Sequence, residues 1–69
     1  MTISEQIKIL CVRSNISIAE LARRLGKSPQ SLNSKMRLES FTIGELIEIA
    51  EATGTSFERN FVFEDGEKI

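Results

Sequence analysis

One predicted helix, the third along the chain, carries hydrogen-bonding side chains along one side. With about 100° between successive residues, four of these side chains fall within one arc of about 100°: Gln30, Asn33, Ser34 and Arg37. The apolar residues Leu32 and Met36 lie on the opposite side. Amide groups can form paired hydrogen bonds with adenine, guanidinium groups can do so with guanine, and a hydroxyl suits either base. Every exposed helix carries polar residues, so the elements around this stripe must decide whether it reads base edges.

The charge of the chain is distributed unevenly. Its 69 residues hold 9 Lys and Arg against 10 Asp and Glu, a formal net charge of −1. Residues 1–37 nevertheless contain seven cations and two anions, a net charge of +5, whereas residues 38–69 contain two cations and eight anions, a net charge of −6. Only one face of a small domain meets a polyanion, so this asymmetry favours a nucleic-acid partner more than the net charge disfavours one.

Short sequence signals divide the chain into four predicted helices. Capping boxes of the pattern Ser/Thr-x-x-Glu mark the starts of three of them, at Thr2–Glu5, Ser17–Glu20 and Thr42–Glu45. Ser28 followed by Pro29 marks the start of the third helix in the chain. Asn15, Gly26 and Gly54 are the corresponding stop signals. The sequence therefore predicts a mainly α domain in which a three-residue turn separates the second and third helices.

The spacing of apolar residues predicts the extent of these helices and which of their faces are buried. The first helix should run over about 3 to 14, with Cys11 as a small buried hydrophobe, and the third should reach about 36 to 38. The fourth helix has an apolar face made of Ile43, Leu46, Ile47 and Ala50. Beyond Gly54 the period changes from 3.6 to 2, which predicts a strand over 57–63, and Asp65-Gly66 predicts a tight turn before a short return.

Two helices joined by a short turn around Gly26 can form a helix-turn-helix if they cross closely. Ala22, four residues before the glycine, allows the close crossing, and Leu32, six residues after it, anchors the second helix. This spacing resembles the helix-turn-helix of the phage Cro and repressor proteins, the xenobiotic-response-element family of transcriptional regulators. The resemblance covers about residues 2–54, and its most specific stretch is residues 21–32.

The resemblance implies a four-helix, lambda-repressor-like domain that binds double-stranded DNA in a bacterial, phage or mobile-element setting. We expect residues 1–54 to form the DNA-binding domain and residues 55–69 a C-terminal strand or hairpin of the same domain. The family reads its operators with the first turns of the third helix, which adds Ser28 and Ser31 to Gln30 and Ser34. Two departures from the family pattern are Pro29 beside Gln30, and Lys35 where the family has an apolar anchor, a role that Met36 can take.

Cations around the turn are candidates for phosphate contacts, which position a protein on DNA without specifying sequence. They are Arg13, Arg23, Arg24, Lys27 and Lys35. Each one alone is equally well explained as a solvated charge, and only the cluster indicates a function. Glu45, Glu48 and Glu51 are expected on the outer side of the fourth helix, pointing away from DNA.

The apolar C-terminal strand predicts a homodimer, because an unpaired edge strand invites pairing with a second copy. The candidate interface residues are Phe57, Arg59, Phe61 and Phe63. Phe61 and Phe63 would lie either in that interface or over the helical core. In the alternative arrangement the hairpin folds back onto the first and fourth helices of its own chain.

Other classes of protein find little support in the sequence. There is no His, no second Cys and no glycine-rich phosphate loop, so we predict no enzyme, no cofactor, no metal site and no evident small-molecule ligand. A lone cysteine and the absence of a long apolar run favour a cytoplasmic protein without a membrane segment. The alternative function is an antitoxin-like or anti-repressor module that binds another protein through the acidic C-terminal half.

Overall fold

The computed structural model describes all residues from Met1 to Ile69, and it contains four α-helices. They are α1 (Ile3–Arg13), α2 (Ile18–Arg24), α3 (Pro29–Leu38) and α4 (Ile43–Ala52). The mainly α, four-helix architecture predicted from the sequence is confirmed. None of the four helices combines the length and the apolar character that crossing a membrane would require.

Side-chain caps start every helix where the sequence predicts. The boxes at Thr2–Glu5 and Thr42–Glu45 are complete, with each threonine hydroxyl accepting from the backbone N–H three residues on and each glutamate accepting from the threonine N–H. The box at Ser17 is only half formed. The Ser17 hydroxyl accepts from the Glu20 N–H at 3.0 Å, but the Glu20 carboxylate turns to two arginines instead. A charged guanidinium donor outcompetes a neutral backbone N–H for a carboxylate.

A residue in the left-handed backbone conformation follows each helix: Asn15, Gly26, Glu39 and Gly54. At the end of α2, Gly26 has φ +69, and the Lys27 N–H donates to the Ala22 carbonyl at 2.9 Å. This hydrogen bond closes the last turn of the helix, and the left-handed conformation of Gly26 lets the chain change direction within three residues. Asn15 and Gly26 therefore stop their helices as the sequence predicts.

The core forms where α1, α2, α3 and α4 meet. Its buried apolar side chains are Ile7, Cys11, Leu21, Ala22, Leu32, Met36, Leu46 and Ile49. Ala22 and Leu32 are completely covered, so the predicted close crossing of α2 and α3 is present. Met36 is buried as well, and it serves as the second anchor of α3 in place of Lys35. Cys11 is a buried free thiol, as predicted, and its burial raises the pKa of that thiol.

The predicted apolar face of α4 is partly wrong. Leu46 and Ala50 are buried, but Ile49 completes the buried set, Ile47 is half-buried and Ile43 is exposed. Ile43 occupies the first position of the helix, beside the C-terminal segment and beyond the reach of the core.

The C-terminal segment forms a minimal hairpin, and the predicted strand over 57–63 is wrong. The hairpin contains a single bridge, the antiparallel pair Val62 and Lys68. The return segment 67–69 is only long enough to pair with residues 61–63, so no longer strand forms. Phe57 is half-buried and packs against the core of its own chain. Phe61 and Phe63 are 78% and 51% exposed and do not cover the helical core, and Arg59 is also exposed.

The role of Met36 as an anchor can be tested against a neighbour on the same helix. Met36→Ala should lower the free energy of unfolding by about 2 to 5 kcal/mol, because it leaves a cavity where the side chain is 7% exposed. Leu38→Ala, at a position 66% exposed, should cost no more than about 0.5 kcal/mol. Urea unfolding followed by circular dichroism measures both. Equal losses for the two variants would mean that Met36 does not anchor α3.

Candidate nucleic-acid interface

The polar stripe of α3 points outward from the domain. Gln30, Asn33 and Arg37 are exposed, while Ser34 is half-buried. Leu32 and Met36 hold the opposite side of the helix in the core. The side of α3 that the sequence predicts to be buried is therefore the side that faces the core, and the predicted polar side faces outward.

The first turn of α3 adds two hydroxyl groups to this surface. Ser28 is the N-cap residue, and its hydroxyl accepts from the Ser31 N–H at 3.1 Å. A hydroxyl has one proton to donate and a second lone pair, so Ser28 can bond a further group while it caps the helix. Both serines are exposed. All six residues predicted to contact bases thus belong to α3 or its cap.

Two hydrogen bonds fix the far end of α3 to the beginning of α1. The buried Ser4 hydroxyl donates to the Met36 carbonyl, and the Ser4 N–H donates to the Glu39 carboxylate at 3.3 Å. Glu39 has φ +53, an unfavourable backbone conformation for a residue with a side chain. Sequence reasoning missed this connection, since nothing local links residues that lie more than thirty positions apart.

Arg23 and Arg24 share one carboxylate at the start of α2. The Arg23 Nη2 and Arg24 Nε atoms lie 2.5 and 3.0 Å from Glu20 Oε2. Hydrogen bonds from Arg23 and then Arg24 lower the pKa of Glu20 to about 2. Arg24 also donates through Nη1 to the Ala52 carbonyl at 2.9 Å, which caps the end of α4. The spacing of Glu20 from the two arginines, three and four residues, is a sequence signal that could have revealed these pairs.

Lys27 and Lys35 share a second carboxylate, that of Glu45. Their Nζ atoms lie 3.6 and 2.9 Å from Glu45 Oε2. The expectation that Glu45 points away with Glu48 and Glu51 is wrong, because its capping box turns the side chain back toward α3. The Thr42 N–H and then the Lys35 ammonium lower the pKa of Glu45 to about 2.

The remaining candidate cations make no ion pair. Arg13 lies exposed in the last turn of α1, and Arg37 lies exposed near the end of α3. The structure thus divides the six cations of the candidate interface into two free arginines and four that are paired with two glutamates. No group of three or more His, Cys, Asp or Glu side chains is arranged to hold a metal ion.

Comparison with known protein families identifies the family of this chain. A family model described as helix-turn-helix matches residues 7–60, which include the turn at Gly26 and all of α2, α3 and α4. The chain belongs to the helix-turn-helix family of the Cro and repressor type. A search of curated proteins and a search of solved structures find no significant match.

This helix-turn-helix protein is a DNA-binding transcriptional regulator, and its partner is double-stranded DNA. The resemblance seen in residues 21–32 is confirmed by the family match. The match gives no support to the alternative of a protein-interaction module.

The two shared carboxylates predict how stability depends on pH. Because the folded-state pKa values of Glu20 and Glu45 are about 2, below the ordinary 4.5, these groups stabilise the fold fully above about pH 4.5 and lose that effect as the pH falls toward 2. Because water screens these partly exposed ion pairs, the loss should be modest, and thermal unfolding between neutral pH and pH 2 measures it.

A matched pair of variants assigns this loss to the contacts of Glu45. Glu45→Gln should flatten the acid dependence, since glutamine keeps the cap at Thr42 but carries no charge. Glu48→Gln removes the same charge where no ion pair exists. If both variants change the acid dependence equally, the contacts of Glu45 are not its cause.

Proposed function

We propose that this regulator binds its operator by inserting α3 into the major groove and acts as a repressor. The observation that supports this most directly is the exposure of Gln30, Asn33 and Arg37 on the side of α3 opposite its buried anchors. The proposed base-contacting set is Ser28, Gln30, Ser31, Asn33, Ser34 and Arg37. A bound domain excludes other proteins from the same stretch of duplex, so occupation of an operator that overlaps a promoter would repress transcription. Such a regulator acts where the genome lies, which we propose is the cytoplasm.

Phosphate contacts complete the proposed interface. We assign them to Arg13, Arg23, Arg24, Lys27 and Lys35, which surround the turn and the flanks of α3. The two arginines that pair with Glu20 lie on one exposed helix surface, and exposed ion pairs contribute little to stability. A phosphate can therefore replace Glu20 as their partner at small cost.

Specific reading by Gln30 can be tested once a preferred operator has been selected from a random duplex pool. Gln30→Ala should leave folding intact and weaken operator binding by about 1 to 3 kcal/mol, because one bidentate base contact is lost. Preference should relax at a single base-pair position. Fluorescence anisotropy with operator and random-sequence duplexes measures the difference.

Gln6→Ala is the matched control for this test, because Gln6 is an exposed amide on α1 beside α4, outside the proposed interface. Gln6→Ala should change neither the affinity for the operator nor the affinity for random-sequence duplex. If Gln30→Ala weakens operator and random duplex by the same factor, Gln30 does not read a base.

The C-terminal hairpin supports a homodimer as the operator-binding form. Phe61 exchanges two backbone hydrogen bonds with Ile69, at 2.7 and 3.0 Å, and the Phe63 N–H donates to Glu67 at 2.8 Å. Between them, the backbone N–H and C=O of Val62 face away from the return segment and make no hydrogen bond. The hairpin thus has an open edge at Val62, flanked by two exposed phenylalanines.

A second copy of the chain can pair with this open edge, and one antiparallel register satisfies the unpaired backbone groups of both copies. Pairing Val62 with Val62 of a two-fold related copy satisfies both backbone groups, and it sets Phe61 opposite Phe63 of the other copy. Such cross-strand aromatic pairs stabilise antiparallel sheets. The same register brings Arg59 toward the acidic turn at Asp65 of the other copy. We assign the interface to Arg59, Phe61 and Phe63, with Phe57 supporting the hairpin from its own core.

The two-fold symmetry of this dimer matches the symmetry of DNA. Two recognition helices that read successive major-groove turns stand about 34 Å apart on a palindromic site. A dimer also doubles the phosphate contacts, which steepens the salt dependence of binding. We therefore expect a pseudo-palindromic operator.

Sedimentation of the full chain tests the dimer. The protein should sediment as a dimer at tens of micromolar, and Phe61→Ser should shift it to monomer, because the variant removes an aromatic pair from each end of the interface. A point variant is preferable to a truncation at Gly54, which would also remove Phe57 from the core.

Val12→Ser is the control for the dimer test, since Val12 is an equally exposed apolar residue on α1 and should leave the dimer intact. The proposed dimer is wrong if the full chain remains monomeric both free and on a palindromic duplex.

A further inference from the structure

The Glu45 carboxylate lies between two lysines of the candidate interface. Its Oε2 atom lies 2.9 Å from Lys35 Nζ and 3.6 Å from Lys27 Nζ. These lysines come from α3 and from the turn before it, so one carboxylate of α4 neutralises cations of two different elements. Both ammonium groups are assigned above to phosphate contacts.

The Glu45 carboxylate is held in place independently of the lysines. Its Oε1 atom accepts from the Thr42 N–H at 2.9 Å, and the Glu45 N–H donates to the Thr42 hydroxyl at 3.1 Å. The side chain is only 17% exposed. When the lysines move to DNA, the carboxylate therefore stays at the start of α4 as an anion without its partners.

Glu20 differs from Glu45 in this respect. It pairs with arginines three and four residues along the same helix, and no capping hydrogen bond restrains its carboxylate. Its side chain can rotate with its partners when a phosphate approaches. Of the two shared carboxylates, only that of Glu45 is fixed by both a cap and a tertiary contact.

We propose that Glu45 is an internal competitor of DNA phosphate, which holds Lys27 and Lys35 in the free protein and lowers the affinity for duplex DNA of any sequence. This inference rests on the proposed function, since it takes the lysines to be phosphate contacts. Binding exchanges one anion for another at each ammonium group. The carboxylate left behind then attracts a cation from solution, which offsets part of the counterion release that drives binding.

A neutral isostere tests the competition. Glu45→Gln keeps the capping hydrogen bond from Thr42 and frees both lysines. With a random-sequence duplex, we expect it to bind about three- to tenfold more tightly than the wild type at about 50 mM salt. Its plot of log K against log salt between about 50 and 200 mM should be steeper by about 1. Fluorescence anisotropy across this range measures both quantities.

Two further comparisons separate competition from simple repulsion between Glu45 and the phosphates. Glu48→Gln removes the same charge from an exposed position of α4 and should produce a clearly smaller gain. In a background carrying Lys27→Gln and Lys35→Gln, Glu45→Gln should produce almost no gain, because there is no lysine left to free. Circular dichroism of each variant without DNA confirms that it is folded.

The possible outcomes distinguish this inference from the function on which it rests. Equal gains for Glu45→Gln and Glu48→Gln, or a gain that persists in the double-lysine background, would overturn the competition and leave DNA binding intact. If the wild type and every variant fail to bind duplex at low salt, the proposed function itself is wrong, and the competition with it.

Discussion

The crossing of α2 over α3 is the constraint on which the rest of the molecule depends. The two helices approach closely because Ala22 has almost no side chain at the contact, and Leu32 fills the space on the other side. The left-handed Gly26 lets the chain reverse within three residues. Once this crossing is fixed, Leu32 and Met36 must face the core, and the polar stripe of α3 must face outward. The exposure of the proposed base-contacting residues is thus a consequence of packing.

Helix capping and interface electrostatics are connected through the same side chains. A glutamate at the third position of a helix closes a capping box by accepting a hydrogen bond from the N-cap N–H, which holds its carboxylate at the start of the helix. In α4 that position also lies beside the cations of α3 and its turn, so Glu45 acts both as a cap and as a counterion. The basic half of the chain is therefore less positive at its surface than its sequence suggests. In the proposed competition, the affinity for DNA depends on the exchange of partners as well as on the number of cations.

The C-terminal hairpin is the element that a single chain leaves incomplete. Its return segment is too short to cover 57–60, and one edge exposes the backbone of Val62 between two aromatic side chains. A helical domain of this size has few ways to extend its apolar core. In the proposed dimer, pairing two such edges adds apolar contact without adding residues, and it gives the two-fold symmetry of a palindromic operator.

Local signals in the sequence determined the four helices, their caps, the turn at Gly26 and the outward phase of Gln30 and Asn33, because each depends on residues within one or two helical turns. The family could also be identified from residues 21–32. Tertiary structure alone decided the contacts between distant segments: Ser4 with the end of α3, Glu45 with two lysines, and Ile49 rather than Ile43 in the core. It also limited the predicted strand to a single bridge. A periodic pattern states which side of an element is apolar, but the partner that meets that side is set only when the elements pack together.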